Sequence, residues 1–364
     1  MRRYDFALNW SGTLKEPFVD FLIQACNAKR LSFLWISQDN VRQTARLIQQ
    51  KRIKIRVLLD TEATYNKKDD PYARVCYAVK DQGGAVINDP DRTKAAIDKS
   101  ILHYELANAG IATPYTIIVR NWQPASYRLP ETERQRLGVP FVIKPALGYG
   151  QLGVIRDAKG TIREIATARN YDRGDNFLLQ EKITPIDLNG KRAWFRVFNL
   201  FNTIIPCWWD DHQNHYEHVG YEEFNSHGLY PLVKIVSRIA AITRMAWFST
   251  EIAIDRKNSQ KRFLAIDYVN DQCSMDSQSQ TPSGVPDAIV RSTAVYMTDI
   301  AYRQKYNLKS KRRYTVWLKD ASIKIHGLGT APDLLRKTAT QPDKNQERFS
   351  HKILHILRDM TDRG

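Results

Sequence analysis

Cysteine is scarce in this chain. Cys26, Cys76, Cys207 and Cys273 are the only four in 364 residues, and no two form a C-x-x-C pair. That spacing excludes a disulfide scaffold and a cysteine-built zinc site, and points to reduced thiols. Long apolar runs are also lacking, since no stretch approaches the ~18 residues of a membrane span. The opening Met1-Arg2-Arg3-Tyr4-Asp5 carries two arginines, but Asp5 and Asn9 break the apolar core that a secretion signal needs. The expected location is therefore the cytoplasm, with no membrane partner. The commonest nucleotide signatures are missing too. No G-K-[ST] follows the glycines at 148–153, and a strand pattern follows them rather than a helix, which excludes a P-loop and a Rossmann turn. No internal repeat, low-complexity segment or nucleic-acid-binding motif stands out.

Negative charge is under-represented: 39 Asp plus Glu stand against 55 Lys plus Arg, a formal net charge of +16. The surplus is concentrated late. From Tyr302 to Gly364 there are 15 basic and 6 acidic residues, a surplus of nine. This tail includes Lys309-Ser310-Lys311-Arg312-Arg313 and the amphipathic stretch 349–358. Such a balance suits an acidic substrate, a nucleic acid or an anionic surface, and equally a solvated basic face. An acidic partner for this tail is the expectation. His212, His215 and His218 lie three apart in a polar stretch; that spacing aligns side chains only on a helix, so a loop or strand end fits better than a metal site.

What is present is most informative at Pro140-Phe141-Val142-Ile143-Lys144-Pro145, followed at once by Gly148, Gly150 and Gly153. An apolar strand delivers a lysine, and a glycine-rich loop leads into a second apolar stretch. Glycines let backbone N–H groups approach an anion closely, and the lysine adds a full positive charge. The pairing suits nucleotide phosphates; a plain glycine hairpin is the structural alternative.

The first 88 residues alternate short apolar runs with helical spacing, as in Phe18, Leu22, Ala25 and Val41, Ala45, Ile48, which indicates an open α/β sheet. Asp89-Pro90 predicts a helix start, with Ile97, Ile101 and Tyr104 on one stripe and a stop near Gly110. A strand at 114–119 precedes a polar connection over 120–138. Further on, the pattern predicts a helix near 161–168 and strands at 177–181, 193–200 and 203–209. A helix over 229–247, a hairpin of 251–255 with 263–268, and a helix over 286–302 complete it.

In order, these pieces resemble the ATP-grasp superfamily, nearest its glutathione-synthetase and RimK-like branch and D-alanine–D-alanine ligase, over roughly residues 1–300. The resemblance implies an α/β and α+β architecture. It comprises an open α/β pre-ATP-grasp domain over 1–88 and an ATP-grasp domain over 89–302, with a basic C-terminal extension over 303–364. Within the ATP-grasp domain, 89–182 would cover the nucleotide and 183–302 would hold metal and substrate. It implies ATP and Mg2+ as cofactors, and an ADP-forming ligase that phosphorylates a small-molecule or peptide carboxylate and lets an amine attack the acyl phosphate. A nucleotide-binding regulatory protein of the same fold, without turnover, is the alternative; a basic-tail binder of acidic polymer is a third reading.

Carried over position by position, Lys99 and Lys144 match the two nucleotide lysines, and Gly148, Gly150 and Gly153 the loop over the phosphates. Gln180, Glu181 and Ile183 fall at the adenine hinge, with an acid nearby to meet the ribose. Glu251 and Asp267 match the metal carboxylates and Asn270 the amide after them. Mg2+ is a hard cation that takes oxygen ligands and is usually shared with phosphates. There are three departures. Asp267-Tyr268-Val269-Asn270 is one residue longer than acid-x-Asn, so Asn270 must lie past a bulge or strand end, with Asp271 as an alternative ligand. Trp194-Phe195-Arg196 keeps Arg196 as an anion ligand but lacks the usual acid. No arginine precedes Glu251 by two residues, which leaves Arg291 as a candidate substitute. The resemblance supplies no general base.

Overall fold

The computed structural model describes residues 1–257, 259–308 and 314–325. The cluster 309–313 and the amphipathic stretch 349–358 lie outside the described residues.

Parallel strands and helices alternate first: β1 (Arg2–Asn9), α1 (Pro17–Ala28), β2 (Phe33–Ile36), α2 (Val41–Gln49), β3 (Ile53–Asp60), α3 (Pro71–Asp81) and β4 (Ala85–Ile87). The strands form a parallel sheet in the order β2-β1-β3-β4. Phe6, Leu8, Val57 and Leu59 on one face and Ala7 and Leu58 on the other are fully buried, as strands covered on both faces require. Pro17 and Pro71 open their helices at positions whose N–H would be unpaired anyway, and Asp70 caps α3 through Ala73 N. The strand order reverses between β1 and β3, where Asn9 and Asp60 pair in register at the C-terminal ends. Asn9 Nδ2 donates to Asp60 Oδ1 at 2.9 Å.

The helix expected to run from Pro90 to Gly110 is two: α4 (Pro90–Ala96) and α5 (Lys99–Asn108). Asp98 restarts the helix by accepting from Ser100 N and Ile101 N at 2.8 and 3.3 Å. The restart turns the face, so that Leu102 and Leu106 are buried while Ile101 and Tyr104 are about half exposed. A second, antiparallel sheet follows, from β5 (Thr116–Val119), α6 (Glu131–Leu137), β6 (Phe141–Pro145), β7 (Ile155–Ala158), α7 (Ile162–Arg169) and β8 (Phe177–Glu181), in the order β5-β8-β6-β7. Helix α6 lies inside the segment read as polar connection; its only buried side chain is Leu137, so no apolar stripe betrays it. Thr161 and Glu164 close a capping box on α7.

The third sheet is the largest. Its region contains β9 (Asp187–Leu188), β10 (Lys191–Arg192), β11 (Trp194–Leu200), β12 (Thr203–Asp210), β13 (His215–His218), α8 (Tyr221–Ser226), α9 (Tyr230–Thr243), β14 (Trp247–Lys257), β15 (Gln260–Asn270), α10 (Asp287–Lys305), β16 (Tyr314–Trp317) and β17 (Ser322–Ile325). Seven strands join in the order β15-β14-β11-β12-β16-β17, with β13 also paired to β12. Helix α9 stops at Thr243 rather than 247, because Arg244 turns left-handed at φ 55 and Trp247 already begins β14. Residues 314–325, grouped by charge with the basic extension, add two strands to this sheet through a parallel pairing of Thr203 with Thr315. Helix α9 packs over one face, and α10 joins the other face to α1 of the first unit, where Lys29 Nζ meets Asp299 at 2.9 Å.

Candidate active site

A cleft of about 860 Å³ opens where the three sheets meet, lined by β6 and the glycine loop, the end of β8, strands β11, β14 and β15, and residues 63–66 after β3. Lys144 projects from β6 and is buried, with Nζ donating to Ile266 O of β15 at 2.9 Å. Burial pushes its ammonium down to about 8; Asp267 opposes the shift and Lys99 adds to it. Lys99 stands at the first position of α5, placed there by the Asp98 cap. Its N–H donates to Ala146 O at 3.1 Å, its Nζ to Gly148 O at 2.8 Å, and the Nζ lies 3.9 Å from Asp267 Oδ1. Two lysines from different elements thus flank one carboxylate beneath the loop.

The loop needs its glycines for two different reasons. A Cβ on Gly148 would sit 2.2 Å from Pro145 Cγ, whereas Gly150 has open space but a φ of +57. Gly153, at φ +72, lies under the Tyr171 ring. At the hinge, Gln180 is buried and its amide donates to Thr116 Oγ1 and Tyr268 OH at 3.2 and 3.3 Å. Glu181 lines the cleft, but its carboxylate accepts from Tyr115 N at 3.1 Å and faces Arg262 and Lys257 at 3.5 and 3.7 Å. Ile183 packs on Ala253 and Leu264.

The acids come together through sheet register. Glu251 of β14 pairs with Asp267 of β15, and Ser249 pairs with Asn270. Three residue steps on β15 oppose two on β14, so a bulge absorbs the longer spacing and Asn270 reaches the cleft together with Asp267. Tyr268 turns into the core instead, its hydroxyl 2.7 Å from His103 Nδ1. Burial raises the Asp267 carboxyl, but Lys99, Lys144 and Arg196 outweigh it and hold the group below the usual range. Its Oδ1 is a buried oxygen with no hydrogen-bond partner among the described residues. Two carboxylates and an amide with one such unsatisfied oxygen fit a hard divalent cation. Glu251 is more engaged: Arg196 donates to Oε1, and Trp194 Nε1 donates to Oε2 at 3.1 Å. Asp271 also lines the cleft, its carboxyl pushed up to about 6 by burial, with Asp60 adding to the shift.

No family model and no curated protein matches this chain. Solved structures do. The D-cycloserine synthetase DcsG aligns with a TM-score of 0.57 at 13% identity, covering 81% of this chain and 99% of that one. The ATP-grasp ligase PsnB, complexed with a minimal precursor, Mg and ADP, aligns with a TM-score of 0.54 at 12% identity, over 81% and 98%. A RimK domain ATP-grasp protein from Sphaerobacter thermophilus gives 0.53 at 14% identity, over 82% and 99%. The chain has the ATP-grasp fold.

Within this ATP-grasp fold, one candidate residue is misplaced by the sequence reading. Arg291 does not line the cleft; it sits on α10 facing α1, with its guanidinium 4.8 Å from the Phe21 ring centroid. The direction of α10, set by burial of Ile289, Val290 and Ala294, carries the arginine to that side. The adjacent tryptophans divide by strand alternation: Trp209 lines the cleft against Tyr216, while Trp208 packs on Phe195 in the core. His212 and His215 are exposed at the β12–β13 turn, and His218 is buried with Nε2 3.0 Å from Trp317 O. The sequence reading missed Arg156 and Arg192, which converge with Asp211 at the mouth from β7, β10 and the β12–β13 turn. Their separation along the chain leaves no local signal.

Proposed function

We propose that this protein is a cytoplasmic, ATP- and Mg2+-dependent ligase that joins a carboxylate to an amine and releases ADP. The observation that carries the reading is the convergence of Lys99, Lys144, Glu251, Asp267 and Asn270, with the glycine loop, on one cleft. Two cations beside a glycine-rich backbone suit phosphates, and hard oxygen donors across the cleft suit a divalent cation bound with them. In this reading residues 1–88 form a pre-ATP-grasp unit, 89–182 cover the nucleotide, and 183–302 hold metal and substrate.

The reaction class passes the γ-phosphoryl group to a carboxylate oxygen with loss of ADP. An amine nitrogen then attacks the acyl carbon, phosphate departs, and the nitrogen loses a proton. Bound Mg2+ supplies charge neutralisation at the phosphates. Lys144 and Lys99 neutralise phosphate oxygens from below, and the hinge at Gln180 to Ile183 offers backbone groups to the purine edge. Arg196, at the foot of the cleft, is placed to hold an anionic substrate group. A closed loop excludes the water that would hydrolyse an acyl phosphate. The acid and amine are small molecules or peptides; PsnB has been solved with a precursor peptide, and that precedent makes peptide acceptors the first to screen.

One observation favours a second reading, a nucleotide-binding protein of this fold without turnover. Trp194 occupies the position of the usual acid, and it and Arg196 engage both oxygens of Glu251. The test is calorimetric titration of Mg-ATP into wild type and Lys144→Ala, followed by a carboxylate and amine screen scored by ADP release. The ligase reading expects binding, its marked loss in the variant, and substrate-dependent ADP. Binding with no ADP in any mixture supports the second reading, and no binding overturns both.

A further inference from the structure

The glycine loop is held at two points. At its start, Lys99 Nζ donates to Gly148 O. Near its end, Arg156 of β7 donates from Nη2 to Gln151 Oε1 at 2.8 Å. Tyr149, between these points, and Leu152, just after the second, are 74% and 49% exposed. Among the described residues strand β7 is the edge of its sheet, with no strand beyond it for the loop to lean on. What lies opposite is the β12–β13 turn. There the Asp210 carboxylate accepts from His212 N and Gln213 N at 2.9 and 3.2 Å, which fixes the turn and aims Asp211 back toward the cleft. Asp211 is 15% exposed, although it sits at a turn. Its Oδ1 takes Arg192 Nη1 at 2.6 Å, and its Oδ2 lies 3.6 Å from Arg156 Nη1.

We propose that Asp211 is a positioning residue for the glycine loop, holding Arg156 across the mouth of the cleft so that Gln151 and the loop stay folded down. The chain of contacts, Asp211 to Arg156 to Gln151, spans two sheets and links the substrate-side turn to the phosphate-side loop. Two guanidiniums share one carboxylate, so removing the Asp211 charge leaves Arg156 and Arg192 repelling each other and frees β7 to lift. Arg156 serves two partners through different nitrogens, a geometry that a lysine cannot reproduce. A half-exposed ion pair is weak, which suits a closure that must reverse in every cycle. The significance of the loop rests on the ligase reading, but its tethering does not.

The experiment is chymotrypsin cleavage of the nucleotide-free full chain at Tyr149 and Leu152, comparing wild type with Asp211→Asn, Arg156→Gln, the double variant, Asp211→Glu and Arg192→Gln. Each of the first two is expected to cleave roughly three- to fivefold faster, with the double no faster than the faster single. Asp211→Glu retains slow cleavage, and Arg192→Gln, which does not touch the loop, stays within about twofold of wild type. Thermal midpoints in the same samples separate local opening from global loss of structure. Wild-type rates in both single variants, multiplicative effects in the double, or equal acceleration by Arg192→Gln would overturn the proposal. Mg-AMPPNP titration of the wild type runs alongside. Failure to bind counts against the ligase reading and leaves the cleavage comparison to decide the tether.

Discussion

Arg196 and Glu251 stand directly opposite each other on β11 and β14, and their side chains form an ion pair at the foot of the cleft. The two are 17% and 16% exposed, so neither charge is well served by water. Glu251 balances a buried guanidinium, and in the proposed function it also offers oxygen to a cation. Glu251→Gln is expected to lower stability by about 3 kcal/mol, because it strands Arg196. It should also weaken Mg-nucleotide binding. Urea denaturation checks the first effect and calorimetry the second; unchanged stability would mean that Arg196 finds another partner.

Lys144 sets a pH dependence whose sign follows from its depressed ammonium pKa, about 8 against an ordinary 10.5. Between these values the unfolded chain binds more protons than the native one, so this group makes stability rise with pH across that window. Phosphates favour the charged ammonium, so nucleotide affinity is expected to fall as pH rises above about 8, with proton uptake on binding. Titrations of Mg-AMPPNP at pH 7 and 9, in buffers of different ionisation enthalpy, read both effects. A pH-independent affinity would show that Lys144 stays charged throughout.

The two glycines at the start of the loop are expected to respond differently to alanine. Gly148→Ala places a methyl 2.2 Å from Pro145 Cγ, within a ring that cannot swing aside. Gly150→Ala meets nothing within 4 Å and faces only the left-handed backbone penalty, on the order of 1 kcal/mol. Nucleotide affinity should therefore fall more for Gly148→Ala than for Gly150→Ala. The reverse order would place the phosphate contact at Gly150.

Arg291→Ala is expected to leave Mg-ATP affinity within about twofold of wild type, since the residue faces α1 and not the cleft. Its loss removes a cation–π contact with Phe21, roughly 0.5–1 kcal/mol of stability at an exposed site. A large drop in affinity with unchanged stability would return Arg291 to the site.

Much of the fold and the candidate site was legible because the signals are local. Alternating apolar runs specify the parallel sheet of 1–88, and the lysine strand with its glycine loop follows from six adjacent residue types and three glycines. The strand at Phe177–Glu181 was read to the residue, since both ends are marked by polar neighbours. Helix α6 was not legible, because one buried leucine makes no stripe. The break at Asp98 was hidden because a cap and a mid-helix aspartate look alike until the backbone chooses.

The sequence by itself determined the apolar strand that delivers Lys144 into a glycine loop, whereas Lys99, Glu251 and Asp267 were singled out through the resemblance to the ATP-grasp superfamily. Only the tertiary structure decided which of them share a space. The β15 bulge that brings Asn270 to the cleft, the ladder that sets Arg196 against Glu251, and the turn that aims Asp211 at Arg156 all depend on register between residues 16 to 55 positions apart. Pairing of that kind is fixed by the burial of whole faces at once, and side-chain direction follows from it. No local pattern carries that information.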